Sequence, residues 1–100
     1  GNSEPNVKEP RAMTYRVLPH VHHQTVNGEV VILDSRTEEY LGLNATASVV
    51  WNALASGSSE TGAVKELTSR FEIDDDDAVG DVRELVSSLV ERGLIEPNPS

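Results

Sequence analysis

One hundred residues make a single domain with at most a short tail. The mix of 37% hydrophobic and 25% charged residues belongs to a folded chain rather than a disordered one, and no apolar run approaches the roughly 18 residues of a membrane span. There is no cysteine, which excludes disulfides, thiolate catalysis and cysteine-held zinc or iron–sulfur centres, and a net charge of −9 opposes binding to a phosphate backbone.

Residues 1–13, with Pro5 and Pro10 among polar neighbours, read as a disordered N-terminal arm or tag remnant. Gly1-Asn2-Ser3 resembles a cloning scar, and Met13 is a candidate natural start. No basic start followed by an apolar centre marks a signal peptide, so a cytoplasmic location is expected. The folded domain is expected over 14–96, and 97–100, Pro-Asn-Pro-Ser, as a frayed C-terminus.

The first half reads as strand. Tyr15 to Val26 is rich in Val, Thr and His and ends at Asn27-Gly28, the strongest short hairpin signal. Val30 to Leu33 is a continuous apolar strand, Asp34 to Thr37 a second turn, and Glu38 to Leu43 a third strand in which Tyr40 and Gly42 share a face. A three-stranded antiparallel meander is the simplest topology.

The second half reads as three helices. Asn44 is a suitable N-cap for Ala45–Ala55, and Ser56-Gly57-Ser58-Ser59 separates it from a helix over Glu60–Phe71 with a Val64, Leu67, Phe71 stripe. The third helix starts in the run Asp74 to Asp77, where carboxylates meet the positive end of the helix dipole. It ends near Arg92, with Gly93 as the left-handed cap. The fold class is therefore α+β: a winged helix-turn-helix with a three-stranded antiparallel sheet followed by three helices. That architecture often reads DNA through its third helix, so a winged-helix DNA-binding transcription factor is the alternative function. Here that helix opens on four Asp and carries only Arg83 and Arg92 as cations. Nucleic acid and membrane are both expected non-partners.

The third helix has an apolar stripe about 140° wide. Leu85, Ala78, Leu89 and Val82 lie at its centre, Val86, Val79 and Val90 toward one side, and Arg83 just beyond. Either all of it is core, or the valine edge lines a groove for an outside apolar partner. Gly80 inside the helix weakens it by up to about 1 kcal/mol and is compatible with close approach of another backbone. The third strand has one side without a neighbour. Its exposed backbone groups are either blunted by Glu38 and Glu39 or used to pair with an extended peptide.

Nothing in the chain supplies catalysis. No Ser sits in a nucleophile elbow, and no Ser–His–Asp set can be placed. His20, His22 and His23 are the only histidines; on a strand His20 and His22 share one face while His23 points away, which disfavours a shared metal. No enzyme activity, metal or cofactor is expected.

Tyr40-x-x-Leu43-Asn44-x-Thr46-x-x-x-x-Trp51 resembles the Y-x-x-L-N-x-T-G-x-x-x-W signature of PqqD-like proteins, the RiPP recognition elements. Further matches are Arg70-Phe71, Asp81-Val82 leading into Leu85-Val86-x-x-Leu89, and Gly93-Leu94-Ile95. With Leu18-Pro19-His20-Val21, the pattern is most similar to the stand-alone leader-binding component of split lasso-peptide biosynthesis systems. Thr37-Glu38 stands where the family often has Thr-Gly, and Ala47 where it has Gly after the Thr. The resemblance implies non-catalytic recognition of the leader segment of a ribosomally made precursor peptide, with Tyr, Pro and Leu anchors. The leader would add as a strand to the third strand beside the third helix and be delivered to a separate leader peptidase and lasso cyclase. Carried onto this chain, the peptide-binding residues are Glu38, Glu39, Tyr40, Leu41 and Gly42 on the strand. On the helix they are Val79, Val82, Arg83 and Val86, chosen by the helical wheel.

Overall fold

The computed structural model describes residues 13–99; of the arm expected over 1–13 all but Met13, and likewise Ser100, lie outside the described residues. The chain runs β1 (Tyr15–Val17), β2 (Val21–Val26), β3 (Glu29–Asp34), β4 (Glu39–Gly42), α1 (Ala45–Ala55), α2 (Glu60–Arg70), α3 (Asp75–Glu91) and β5 (Ile95–Pro97). β2, β3 and β4 form the antiparallel meander, and β1 pairs with β5 in a separate two-stranded sheet. The α+β winged helix-turn-helix arrangement, three strands and then three helices, is what the structure shows.

Two differences from the sequence reading stand out, one with a local cause and one long-range. The expected first strand breaks at Pro19-His20, where proline has no N–H for a ladder. Before the break, β1 is drawn to β5, in register Val17 with Ile95 and Tyr15 with Pro97. Pairing continues into the last described residues, with the Asn98 N–H donating to the Thr14 carbonyl at 2.9 Å. β1 is also fastened to α2: the Tyr15 hydroxyl donates to Glu60 Oε2 at 2.7 Å. Burial and that carboxylate push the phenol up to about 12.

The turns follow their sequences. Asn27 and Gly28 take φ of 53° and 81°, the left-handed pair of a type I′ hairpin turn. The β3–β4 turn also needs a left-handed residue, and here it is Glu38 at φ 60°, the position where the family often carries glycine.

Helix ends are equally local. The Asn44 side chain accepts from the Ala47 N–H at 2.9 Å, and Ser59 accepts from the Gly62 N–H at 3.2 Å. Asp74 caps α3 without a side-chain hydrogen bond, so the Asp run acts there through the helix dipole. Gly93, at φ 75°, closes α3 in a Schellman arrangement: its N–H donates to Val90 and the Leu94 N–H to Leu89, both at 3.0 Å.

The core lies between the inner face of the meander and the three helices. Trp51, Leu54 and Val50 from α1, Leu67 from α2, Val82 and Leu89 from α3, and Val30 and Ile32 from β3 are all essentially buried. Each stabilises the fold by roughly 1.5–3 kcal/mol, with Trp51 contributing the largest apolar area. A Cβ on Gly80 would meet nothing within 4 Å, so no other backbone approaches α3 there.

Candidate functional site

β4 is the edge of its sheet, and its outward-facing groups can be assigned. Leu43 donates its N–H to the Val30 carbonyl at 2.9 Å, continuing the register that sets Leu41 opposite Ile32. Antiparallel ladders alternate bonded and non-bonded pairs, so the N–H and C=O of Leu41 point inward to β3. Those of Tyr40 and Gly42 point to the open side. The odd residues turn their side chains inward instead: Leu41 is half-buried against the core, while Tyr40 is 72% exposed.

The end of the ladder holds one unusual bond. Where Val30 would donate back to Leu43, it donates to Ser48 Oγ at 2.8 Å, and that hydroxyl in turn donates to the Leu43 carbonyl at 3.2 Å. Ser48 is 1% exposed. It therefore clamps α1 to the point where β4 leaves the sheet.

Two cavities lie in line along one side of α3. One, of about 250 Å³, sits between β4 and the end of α3, lined by Ile32, Arg36, Glu39, Tyr40, Leu41, Arg92 and Leu94. The other, of about 390 Å³, sits past the end of β4, lined by Asn44, Thr46, Ala47 and Val50, by Leu67, and by Asp81, Glu84, Leu85 and Ser88 of α3. Positions 81, 85, 88 and 92 follow the i, i+4, i+7 spacing of one helix face. The smaller cavity borders β4, and this face of α3 runs past both cavities, so the strand edge and the helix face flank one candidate cleft.

The cleft is braced at one end by a charged cluster. The Arg36 guanidinium donates to both Asp34 carboxylate oxygens, Nε to Oδ1 at 3.2 Å and Nη2 to Oδ2 at 3.0 Å, and the Arg36 N–H adds a bond to Oδ1 at 2.9 Å. Chiefly through the guanidinium, and against the effect of burial, the Asp34 carboxyl is held down at about 2. Arg36 is correspondingly raised above its ordinary value. Arg36 also reaches the Arg92 carbonyl, and His20 Nε2 lies 2.8 Å from the Gly93 carbonyl. Cations and donors thus meet the unpaired carbonyls at the C-terminus of α3.

The strand residues named from the sequence fall together, Glu38 in the turn and Glu39 to Gly42 along β4. Those named on α3 do not. Val82 and Val86 are 0% and 5% exposed and belong to the core, and Val79 lies on the exposed edge with Arg83. That edge flanks the core stripe on the side away from positions 81, 85, 88 and 92. The helical wheel found a wide stripe and chose the border with Val79 and Arg83, whereas the two cavities lie along the opposite border, a distinction that only packing makes. The other α3 residues that line the cavities, Asp81, Glu84, Ser88 and Arg92, are polar and make no apolar signal; Leu85, at the stripe's centre, is the half-buried residue that lines the larger cavity.

The histidines separate. His20 lies before β2 rather than on it, His22 faces outward beside Leu33 and Tyr40, and His23 packs edge-on against Trp51 with ring centres 5.3 Å apart. Among the described residues, no three His, Cys, Asp or Glu side chains are grouped to hold a metal. No described helix is long and apolar enough to cross a membrane.

A winged-helix domain whose sheet ends in a bare strand, beside a cleft walled by a helix, has the geometry of a module that takes an extended peptide by strand addition. The chain belongs to the PqqD family: the family described as "Coenzyme PQQ synthesis protein D (PqqD)" matches residues 29–95. Two solved structures are similar over most of the chain. "TbiB1 in Complex with the TbiA(beta) Leader Peptide" has a TM-score of 0.77 at 25% identity, covering 85% of this chain and 99% of that one. "Lasso peptide synthetase B1 complexed with the leader peptide" has a TM-score of 0.75 at 35% identity, covering 83% and 98%. No curated protein sequence matches the chain.

Proposed function

We propose that this protein is a non-catalytic adaptor that binds the leader segment of a ribosomally made precursor peptide. The leader adds as a strand to β4 and lies in the cleft beside α3. The observation that carries this reading is the open edge of β4, where Tyr40 and Gly42 offer N–H and C=O groups alongside two cavities on one face of α3. Its support is membership of the PqqD family and likeness to two proteins solved with leader peptides. Backbone hydrogen bonds supply affinity in this mode, and the cavities select side chains.

The adaptor delivers the bound precursor to a separate leader peptidase and lasso cyclase, and meets it in the cytoplasm, where ribosomal products emerge. The DNA-binding alternative lacks support: α3 begins with Asp75, Asp76 and Asp77, and the similar structures are peptide complexes.

The test is fluorescence polarisation with a labelled leader peptide from the precursor encoded beside this protein. Saturable binding that is lost when the leader's Tyr, Pro or Leu anchors become Ala supports the adaptor. Folded protein that fails to bind the leader, alone or with the peptidase present, would falsify it.

A further inference from the structure

The larger cavity has a composition that selects its occupant. Its floor is apolar: Ala47, Val50, Leu67 and the side of Leu85, with Val50 and Leu67 almost wholly buried. Its α3 rim carries the carboxylates of Asp81 and Glu84, and no lysine or arginine is among the residues that line it. An apolar peptide side chain would fill the floor and make no use of the two carboxylates, which stay in water. A lysine or arginine satisfies both parts, because these side chains lay an aliphatic stem along apolar surface and keep the charged head at the edge.

The cavity lies just past the end of the peptide edge. Gly42, the last residue of β4, is two residues from Asn44 on the cavity wall, and the α3 face that bears Asp81 and Leu85 continues through Ser88 to Arg92 at the other end of β4. From Asp81 to Arg92 the helix rises about 16 Å, the length of roughly five extended residues. One short strand can therefore span both cavities. The smaller one is electrically balanced, with Arg36 and Arg92 against Asp34 and Glu39. The charge preference lies at the Gly42 end alone.

Resting on the leader-binding reading, we propose that the larger cavity holds a basic side chain of the leader and thereby fixes the direction and register of the added strand. The other strand pairs are all antiparallel, and an antiparallel leader places its N-terminal end beside Gly42. The basic residue therefore stands at the N-terminal end of the segment that pairs with β4. The carboxylates are exposed, so their effect is moderate and screened by salt.

The test uses the labelled leader against Asp81→Asn/Glu84→Gln, with Glu72→Gln/Asp76→Asn as a control that removes two exposed carboxylates outside the cavity. The cavity variant should bind about fivefold more weakly at low salt, the difference shrinking at high salt, while the control binds as the parent does. Changing the leader's N-terminal Lys or Arg to Gln should weaken binding to the parent protein and add little on the cavity variant, as coupled partners do. Parent protein that binds the leader while the cavity variant binds equally well overturns the cavity assignment and leaves leader recognition standing. Loss on neutralising a cation at the C-terminal end of the segment overturns the direction. Parent protein that ignores the leader removes both readings. Circular dichroism confirms the fold of each variant.

Discussion

The Arg36 guanidinium donates from Nη2 to the Arg92 carbonyl at 3.2 Å, tying the turn before β4 to the end of α3. Both segments line the smaller cavity. The same guanidinium is held by Asp34, which is only 8% exposed. The sheet, the turn and the helix terminus therefore meet in one cluster beside the smaller cavity.

That cluster gives acid stability a specific cause. The Asp34 carboxyl sits at about 2 in the fold against about 3.9 for an unfolded aspartate. Its stabilising contribution is full above about pH 4 and is lost as pH falls toward about 2, where the folded form also takes up the proton. Arg36→Gln should lower stability at neutral pH, and its difference from the parent should narrow across that acid window. Urea midpoints measured at several pH values check this; a difference that stays constant down to the lowest pH would assign the loss to packing instead.

Ser48 makes a second prediction. Its hydroxyl replaces a missing ladder bond between Val30 and Leu43 and is buried. Ser48→Ala removes both bonds and leaves the Val30 N–H without a partner away from water. The expected loss is about 1–3 kcal/mol. Denaturant unfolding reads the stability directly, and hydrogen exchange at Val30 should speed up more than at Ile32. A loss well under the lower figure would mean that water or a shifted strand replaces the hydroxyl.

The order of elements was legible because each rests on a short-range signal. Asn27-Gly28, the Asn44 and Ser59 caps and Gly93 define ends by local geometry, and the apolar spacings of α1, α2 and α3 define faces. The pairing of β1 with β5 was not legible, since three-residue strands 80 residues apart carry no mutual pattern. The strand half of the candidate site could be read, because an edge strand of a meander is implied by its topology. The helix wall of the cavities could not: it is lined by Asp81, Glu84, Ser88 and Arg92, indistinguishable in sequence from a solvated face. Glu38 was noted only as a departure from the family, and its cause is the left-handed backbone that glycine ordinarily supplies.

Glu38 therefore offers a stabilising change. At φ 60° a side chain costs about 1–2 kcal/mol relative to glycine, partly offset because glycine makes the unfolded chain more flexible. Glu38→Gly should raise stability by about 1 kcal/mol, or roughly 5 °C in melting temperature for a domain this size. The Glu38 N–H donates to the Asp34 carbonyl at 2.7 Å, a bond the variant keeps. A melting temperature that falls would show that the turn takes a different conformation in solution.

The alternation of β4 makes a pair of proline variants decisive. Tyr40 turns its N–H to the open side, so Tyr40→Pro removes a group that takes no part in the ladder, and edge strands accept proline at such positions. The Leu41 N–H faces Ile32, so Leu41→Pro breaks the sheet and should destabilise the protein severely. Tyr40→Pro should remain folded by circular dichroism and bind the labelled leader about tenfold more weakly, the consequence of one lost backbone hydrogen bond with its geometry. Tyr40→Ala, which keeps the N–H and removes the exposed ring, separates the backbone effect from that of the side chain. If Tyr40→Pro and Tyr40→Ala weaken binding equally, the ring rather than the strand edge makes the contact; if neither does, the leader does not add to β4.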